Sequence, residues 1–226
     1  MKTLKLALLA AAAAAVIAPA QAEGLSYNIG VVSLYKFGGI DQDSREAKSA
    51  RPAIQGGVDY DFGNGFYVGN WNSTGKFSGA NVEVDLYAGY ANELANGFNY
   101  DIGLMRVIYP DANANINYNE AYVSLGYGIA TFKVTHGLTK DVNKRFERYS
   151  LTLSQPVNDK LTVNLVLADR NKRNTGGASD YSVGAEYDLG DGMTATAVVA
   201  GAGKIADGTK PIGHKSRLIV GLSKSF

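Results

Sequence analysis

Cysteine is absent from the 226-residue chain, proline occurs five times, histidine twice and tryptophan once. The missing thiols exclude disulfide staples, thiolate metal centres and a lipid-modified amino-terminal cysteine. Two histidines leave little material for the Ser-His or Cys-His sets of hydrolases and acyl transferases. An excess of one charge is missing too: 22 basic residues stand against 21 acidic ones, which argues against a nucleic-acid partner. After residue 22 no apolar run approaches the roughly 20 residues of a membrane-spanning helix. There is no Ser/Gly linker and no break in composition, so residues 23–226 read as one domain.

What is present starts at the amino terminus. Lys2 and Lys5 precede a continuous apolar run from Leu6 to Ile17, and Ala20-Gln21-Ala22 offers small residues at a cleavage spacing. Residues 1–22 therefore read as a secretory signal peptide. An uncleaved anchor is the alternative, disfavoured by the short run and the Ala-x-Ala site. Cleavage after Ala22 starts the mature chain at Glu23 and, by removing two lysines, takes the formal charge from +1 to −1. The 27 glycines and 14 tyrosines suit strands and tight turns.

Apolar and polar residues alternate along most of the mature chain, the period of a half-buried strand. Leu25, Tyr27, Ile29, Val31, Tyr35 and Phe37 share one side of the first segment. Ile54/Val58/Tyr60/Phe62, Val82/Val84/Leu86/Ala88/Tyr90 and Phe98/Tyr100/Ile102/Leu104 continue the rhythm. So do Ala121/Val123/Leu125/Tyr127, Ala130/Phe132/Val134 and Tyr149/Leu151/Leu153. Leu161–Leu167, Tyr181–Tyr187, Met193–Val199 and Leu218–Phe226 complete it. The segment from Phe66 to Ser73 is ambiguous in facing, and Arg106 falls on an apolar side, marking a bulge or the membrane boundary. The prediction is an all-β fold, a closed antiparallel transmembrane β-barrel of about 12 strands.

A soluble β-sandwich shows the same alternation, and three features separate the cases. Tight connections (63–65, 127–129, 156–160, 190–192) intersperse with longer polar ones (38–52, 110–117, 171–179, 204–215), the pattern of short periplasmic turns and long external loops. Aromatic residues gather at strand ends: Tyr27, Phe62, Tyr90, Phe98, Tyr127, Tyr187 and Phe226 in one girdle, Tyr35, Phe37, Trp71 and Tyr181 in the other. Finally, the chain ends in Phe226 on an apolar face, which resembles the signal read by the bacterial barrel assembly machinery, although Lys224 departs from the usual pattern.

Several stretches carry a family resemblance: residues 33–42 (SLYKFGGIDQ), 51–61 (RPAIQGGVDYD), 65–71 (GFYVGNW), 81–90 (NVEVDLYAGY), 100–110 (YDIGLMRVIYP) and 120–128 (EAYVSLGYG). The chain resembles the proteobacterial outer-membrane family called Gcw_chp or TorF-type porins, most densely over residues 25–128. The resemblance implies a barrel and a pore in the outer membrane of a Gram-negative bacterium, without naming a solute. Leu34 and Gly38 stand where the family usually has Asp and Arg.

The face opposite the lipid-type residues is charged. Asp59, Asp61, Glu83, Asp85, Asp101 and Glu120 occupy earlier strands, and Lys133, Arg148 and Arg217 later ones. Pointing into a lumen, they would set ion selectivity. The alternative is a lumen plugged by paired side chains, Glu120 with Lys133 for example, because buried charges require partners in any case. A twelve-strand barrel falls between filled and aqueous sizes.

Catalysis, metals and cofactors are not expected. His136 lies on an apolar face without a lipid-facing Ser on the next strand, and His214 falls in a polar loop. The stretch 201–206 imitates a dinucleotide loop but no helix follows it, and Asp111-Ala-Asn113-Ala-Asn115 lacks the glycine and distal Glu of a calcium loop. The expected function is passive passage of small polar or ionic solutes. The alternative is a structural or interaction barrel whose external loops bind a partner or lipopolysaccharide.

Overall fold

The structure is a computed structural model and describes residues 23–43, 51–77, 79–140, 146–172, 178–203 and 214–226. The proposed signal peptide and most of the 204–215 loop lie outside the described residues, as do parts of the 38–52 and 171–179 connections. In chain order the strands are β1 (Gly24–Val32), β2 (Lys36–Phe37), β3 (Ile40–Asp41), β4 (Ala53–Asp61), β5 (Phe66–Phe77), β6 (Ala80–Glu93) and β7 (Phe98–Ile108). They continue as β8 (Tyr118–Tyr127), β9 (Ala130–Gly137), β10 (Phe146–Pro156), β11 (Leu161–Lys172), β12 (Ala178–Gly190), β13 (Met193–Ala202) and β14 (Arg217–Ser225).

Twelve of these strands pair with their neighbours in antiparallel order, and β1 pairs with both β4 and β14, so the sheet closes on itself. Closure removes both sheet edges and leaves no row of unpaired backbone groups, which hydrocarbon could not satisfy. Twelve strands about 4.8 Å apart and tilted about 40° make a cylinder roughly 25 Å across between backbones.

Parity decides which side chains go where. Leu25, Ile29, Val58, Leu86, Leu104, Leu125, Leu167, Val183 and Leu218 stand exposed on the outside. Water does not solvate such a continuous apolar surface, and it matches the belt of a transmembrane barrel. At the short-turn end aromatic rings pair on the outer face, with Tyr27 stacked on Phe226 at 5.0 Å and Phe98 on Tyr127 at 4.6 Å, and with Phe66 edge-on to Tyr90. Side chains fix these turns: Asp61 Oδ1 accepts from the Gly63 N–H and Asn64 Oδ1 from the Phe66 N–H.

Two sequence expectations are refined. In β5, Phe66 and Val68 face out while Tyr67, Gly69, Trp71 and Ser73 face in, paired with inward residues of β4 and β6. Arg106 marks the outer boundary, because β7 pairs without a bulge and the guanidinium donates to Asn119 Oδ1 at 3.0 Å.

A larger correction concerns residues 33–43. They do not extend β1 along the wall, and the described part of the first long connection is no external loop. After Val32 the chain turns into the barrel, where β2 and β3 form a two-stranded hairpin separate from the wall. Leu34 and Tyr35 pack in the interior with Val32, Ala53, Phe77, Ala80, Val198, Ala200 and Ile219. Tyr35, Phe37 and Trp71 are therefore interior residues and not members of the second girdle. Tyr181 faces out as expected, about a third exposed.

Inner-face tyrosines lie flat over glycines of adjacent strands: Tyr67 covers Gly89 and Tyr122 covers Gly103, where an added Cβ would collide with the phenol oxygen. Gly103→Val is expected to displace Tyr122 and to lower barrel stability by about 1–3 kcal/mol. Urea unfolding in lipid vesicles, followed by cold-SDS mobility, measures this; unchanged resistance contradicts the packing role.

Candidate functional site

Register brings the polar residues of one half of the wall together. From β4 to β8 the inner face carries Asp59, Glu83, Asp85, Asp101 and Glu120. Phenols hold several of these carboxylates. Tyr87 donates to Asp59 Oδ1, and Tyr67 donates to Asp101 Oδ1 at 2.6 Å while its oxygen lies 2.5 Å from that of Tyr122. Both oxygens of Glu83 are occupied, by Tyr35 of the hairpin at 2.7 Å and by Tyr109 at 2.5 Å. Asp85 and Glu120 each keep one buried oxygen without a hydrogen-bond partner among the described residues.

The next stretch of wall is basic. Lys133 on β9 lies 4.0 Å above the Tyr122 ring. Arg148 on β10 holds Asp180 of β12 through Nη2 at 2.7 Å and Nε at 3.3 Å, a fork closed to solvent. Arg170 on β11 faces Arg148 across the ladder and stacks between Phe37 at 5.1 Å and Phe146 at 4.9 Å. Its Nε is buried and lacks a hydrogen-bond partner among the described residues. The remaining wall, β13–β14–β1, offers small and apolar residues such as Val198, Ala200 and Ile219, against which the hairpin packs.

The hairpin links the acidic and basic stretches. Tyr35 reaches Glu83 on one side, and Phe37 covers Arg148 at 5.8 Å and Arg170 on the other. Within it, Lys36 bonds Asp41 at 2.7 Å with both side chains almost fully buried, and also donates to the Gly39 carbonyl. Burial pushes Lys36 below the usual lysine range; Asp41 opposes that shift and Arg217 adds to it. On the outside of the barrel end, Asp111 accepts the backbone and side-chain N–H groups of Asn81, which hold its carboxyl below the usual range. This carboxylate caps a loop, and no group of three or more potential metal ligands occurs among the described residues.

Of the nine sequence candidates, Asp59, Glu83, Asp85, Asp101, Glu120, Lys133, Arg148 and Arg217 lie on the inward face. Arg217 pairs with Ala200 near the hairpin's Lys36. Asp61 sits at the mouth and caps the β4–β5 turn, away from the others. Glu120 and Lys133 are not a cross-strand pair, since they oppose Gly137 and Ser124. Sequence reasoning missed Arg170, Lys36 and the inner tyrosines, and did not select Asp180. His136 faces outward, 3.5 Å from Glu147.

The closed antiparallel wall, apolar outside and charged within, defines the class: a porin-like transmembrane barrel. Among solved structures, the KdgM porin aligns with a TM-score of 0.62 at 11% identity, over 89% of this chain and 98% of that one. It has also been solved in complex with disordered oligogalacturonate. The NanC porin aligns with a TM-score of 0.55 at 14% identity, over 90% and 99%. At such identities the likeness is one of fold. The profile of the family described as a bacterial protein of unknown function, Gcw_chp, matches residues 17–226, and the chain belongs to that family. No curated protein matches the sequence.

The Arg148–Asp180 fork gives a direct test of interior electrostatics. Asp180→Ala leaves a buried guanidinium uncompensated and is expected to cost about 3–5 kcal/mol, whereas Arg148→Met with Asp180→Leu recovers most of the loss. Urea titration of the refolded barrel checks both variants. Equal destabilisation by single and double changes contradicts the pairing.

Proposed function

We propose that the protein is an outer-membrane channel of a Gram-negative bacterium for passive passage of small polar or ionic solutes. The observation that carries this reading is the separation of charge inside the barrel: carboxylates on β4–β8 face a basic stretch on β9–β11. Walls of opposite charge produce a transverse field in a low-dielectric cylinder, and fixed charge of this kind selects ions by sign. Asp59, Glu83, Asp85, Asp101 and Glu120 would draw cationic groups, and Lys133, Arg148, Arg170 and Arg217 anionic ones. Lipid and lipopolysaccharide would surround the belt, and the carboxyl-terminal Phe226 would serve recognition by the barrel assembly machinery. No bond chemistry is assigned to any residue.

The hairpin in the lumen favours one second reading, an interaction barrel with a closed interior whose external loops bind a partner or lipopolysaccharide. The two readings part on conductance. Refolded protein in planar bilayers is expected to show ion current and to let small sugars or amino acids swell liposomes. Asp59→Asn with Asp101→Asn is expected to shift the reversal potential in a salt gradient toward anions, changing the permeability ratio by about two- to fivefold. Absence of current and swelling, both from the intact protein and after replacement of residues 34–42 by a Gly/Ser linker, rejects the channel.

A further inference from the structure

The hairpin is held in a way that points to what it excludes. Among the described residues, 36–41 pair only with each other and share no ladder with a barrel strand. The neighbouring chain touches the wall through isolated bridges, Leu34 with Arg51 and Asp43 with Lys76. Displacing the tip therefore breaks no row of sheet hydrogen bonds. Its tip fits closely, since Gly39 at φ +69° lies against the Gly201 carbonyl, where any Cβ would collide. Across the lumen, the segment offers two unlike groups to two unlike walls. The Tyr35 hydroxyl donates to Glu83, and the π face of Phe37 covers the guanidiniums of Arg148 and Arg170.

The walls also keep complementary unused capacity. On the basic side the buried Arg170 Nε donor has no partner, and on the acidic side a buried oxygen each of Asp85 and Glu120 lacks one, among the described residues. Glu120 is 2% exposed. Such groups are costly to leave unmatched. A molecule that accepts hydrogen bonds at one end and donates them at the other would match both sides. An anion alone would meet Glu120 and Asp180, both within electrostatic reach of Arg170; a cation alone would meet the arginines.

We infer that Arg170 on the basic wall and Asp85 and Glu120 on the acidic wall form a subsite for zwitterionic solutes of the amino-acid type, and that the hairpin is its displaceable lid. The carboxylate of the solute takes the fork of Arg170, and its ammonium group takes the carboxylates of Asp85 and Glu120. Tyr35 and Phe37 occupy the two walls until the solute replaces them. This inference rests on the channel reading for its physiological sense, though solute binding can be measured without current.

The single tryptophan supplies the probe, because Trp71 lies edge-on to Tyr35 at 5.6 Å between ring centroids. Refolded protein is titrated with ω-amino acids from glycine to 6-aminohexanoate, with acetate, methylammonium chloride and glucose at matched ionic strength, and Trp71 emission is followed. A saturable change is expected for at least one zwitterion at a concentration at least tenfold below that needed with either single ion, and none with glucose. Tyr35→Phe is expected to lower that midpoint, and Arg170→Gln to raise it at least fivefold in protein whose heat-modifiable mobility shows a folded barrel. Acetate as effective as the zwitterions overturns the dipolar site, and so does a flat response to all probes. A normal zwitterion response with no current after hairpin replacement defeats the channel and leaves the subsite standing. Steady current with no emission change defeats the subsite alone.

Discussion

One constraint governs the molecule: adjacent residues of every wall strand face different media. The backbone satisfies itself around a closed ring, so the outer face is free to be uniformly apolar and the inner face to carry charge. A one-residue slip in any strand would send its charges into hydrocarbon and its leucines into the lumen. Register is therefore fixed more strongly than in a sheet with one watery face. The aromatic pairs at the turn end, Tyr27 with Phe226 and Phe98 with Tyr127, sit where each strand pair begins and keep that register in step with the membrane surface.

The same constraint explains the interior chemistry. Several of the inward-pointing charges are matched locally by neighbouring side chains. On β4–β8 the matching groups are phenols; Tyr67, for example, lies flat over Gly89 so that its hydroxyl reaches Asp101 two strands further round. On β10–β12 the match is an Arg–Asp fork. Phenols satisfy a carboxylate without cancelling its charge, whereas Asp180 neutralises Arg148. The acidic wall is thus held by neutral hydrogen-bond donors, an arrangement different from the ion pair of Arg148 with Asp180.

Parity made the wall legible from the residues alone, because eleven segments alternate cleanly and the short connections fall on one end. Legibility failed wherever aromatic residues do polar work. Tyr67 and Trp71 make the inner face of β5 look as apolar as Phe66 and Val68, so facing could not be chosen without the neighbouring register. Residues 33–37 continue the alternation of β1, and nothing local distinguishes a longer strand from a chain turning inward. The decisive partners, Glu83 for Tyr35 and the two arginines for Phe37, lie 48 or more residues away. Arg170 escaped because it falls between the alternating segment that ends at Leu167 and the loop read from residue 171, while the strand runs on to Lys172. Each miss is a long-range contact, the kind that periodicity within a window cannot register.

Why the hairpin turns in, rather than out, follows from what it carries. Leu34, Tyr35 and Phe37 above the rim would expose three large apolar groups to water. Inside, Leu34 joins the apolar cluster that includes Val198, Ala200 and Ile219, Tyr35 packs against Trp71 and Phe77, and the arginines take the ring of Phe37. The Lys36–Asp41 pair, sealed between these contacts, satisfies the charges that enter with the segment. Hydrophobic burial drives the hairpin inward, and electrostatics decides where its tip comes to rest. A hairpin tip that shares no ladder with the wall, in a lumen whose walls retain unmatched donors and acceptors, is one that a solute of the right polarity can displace without disturbing the barrel.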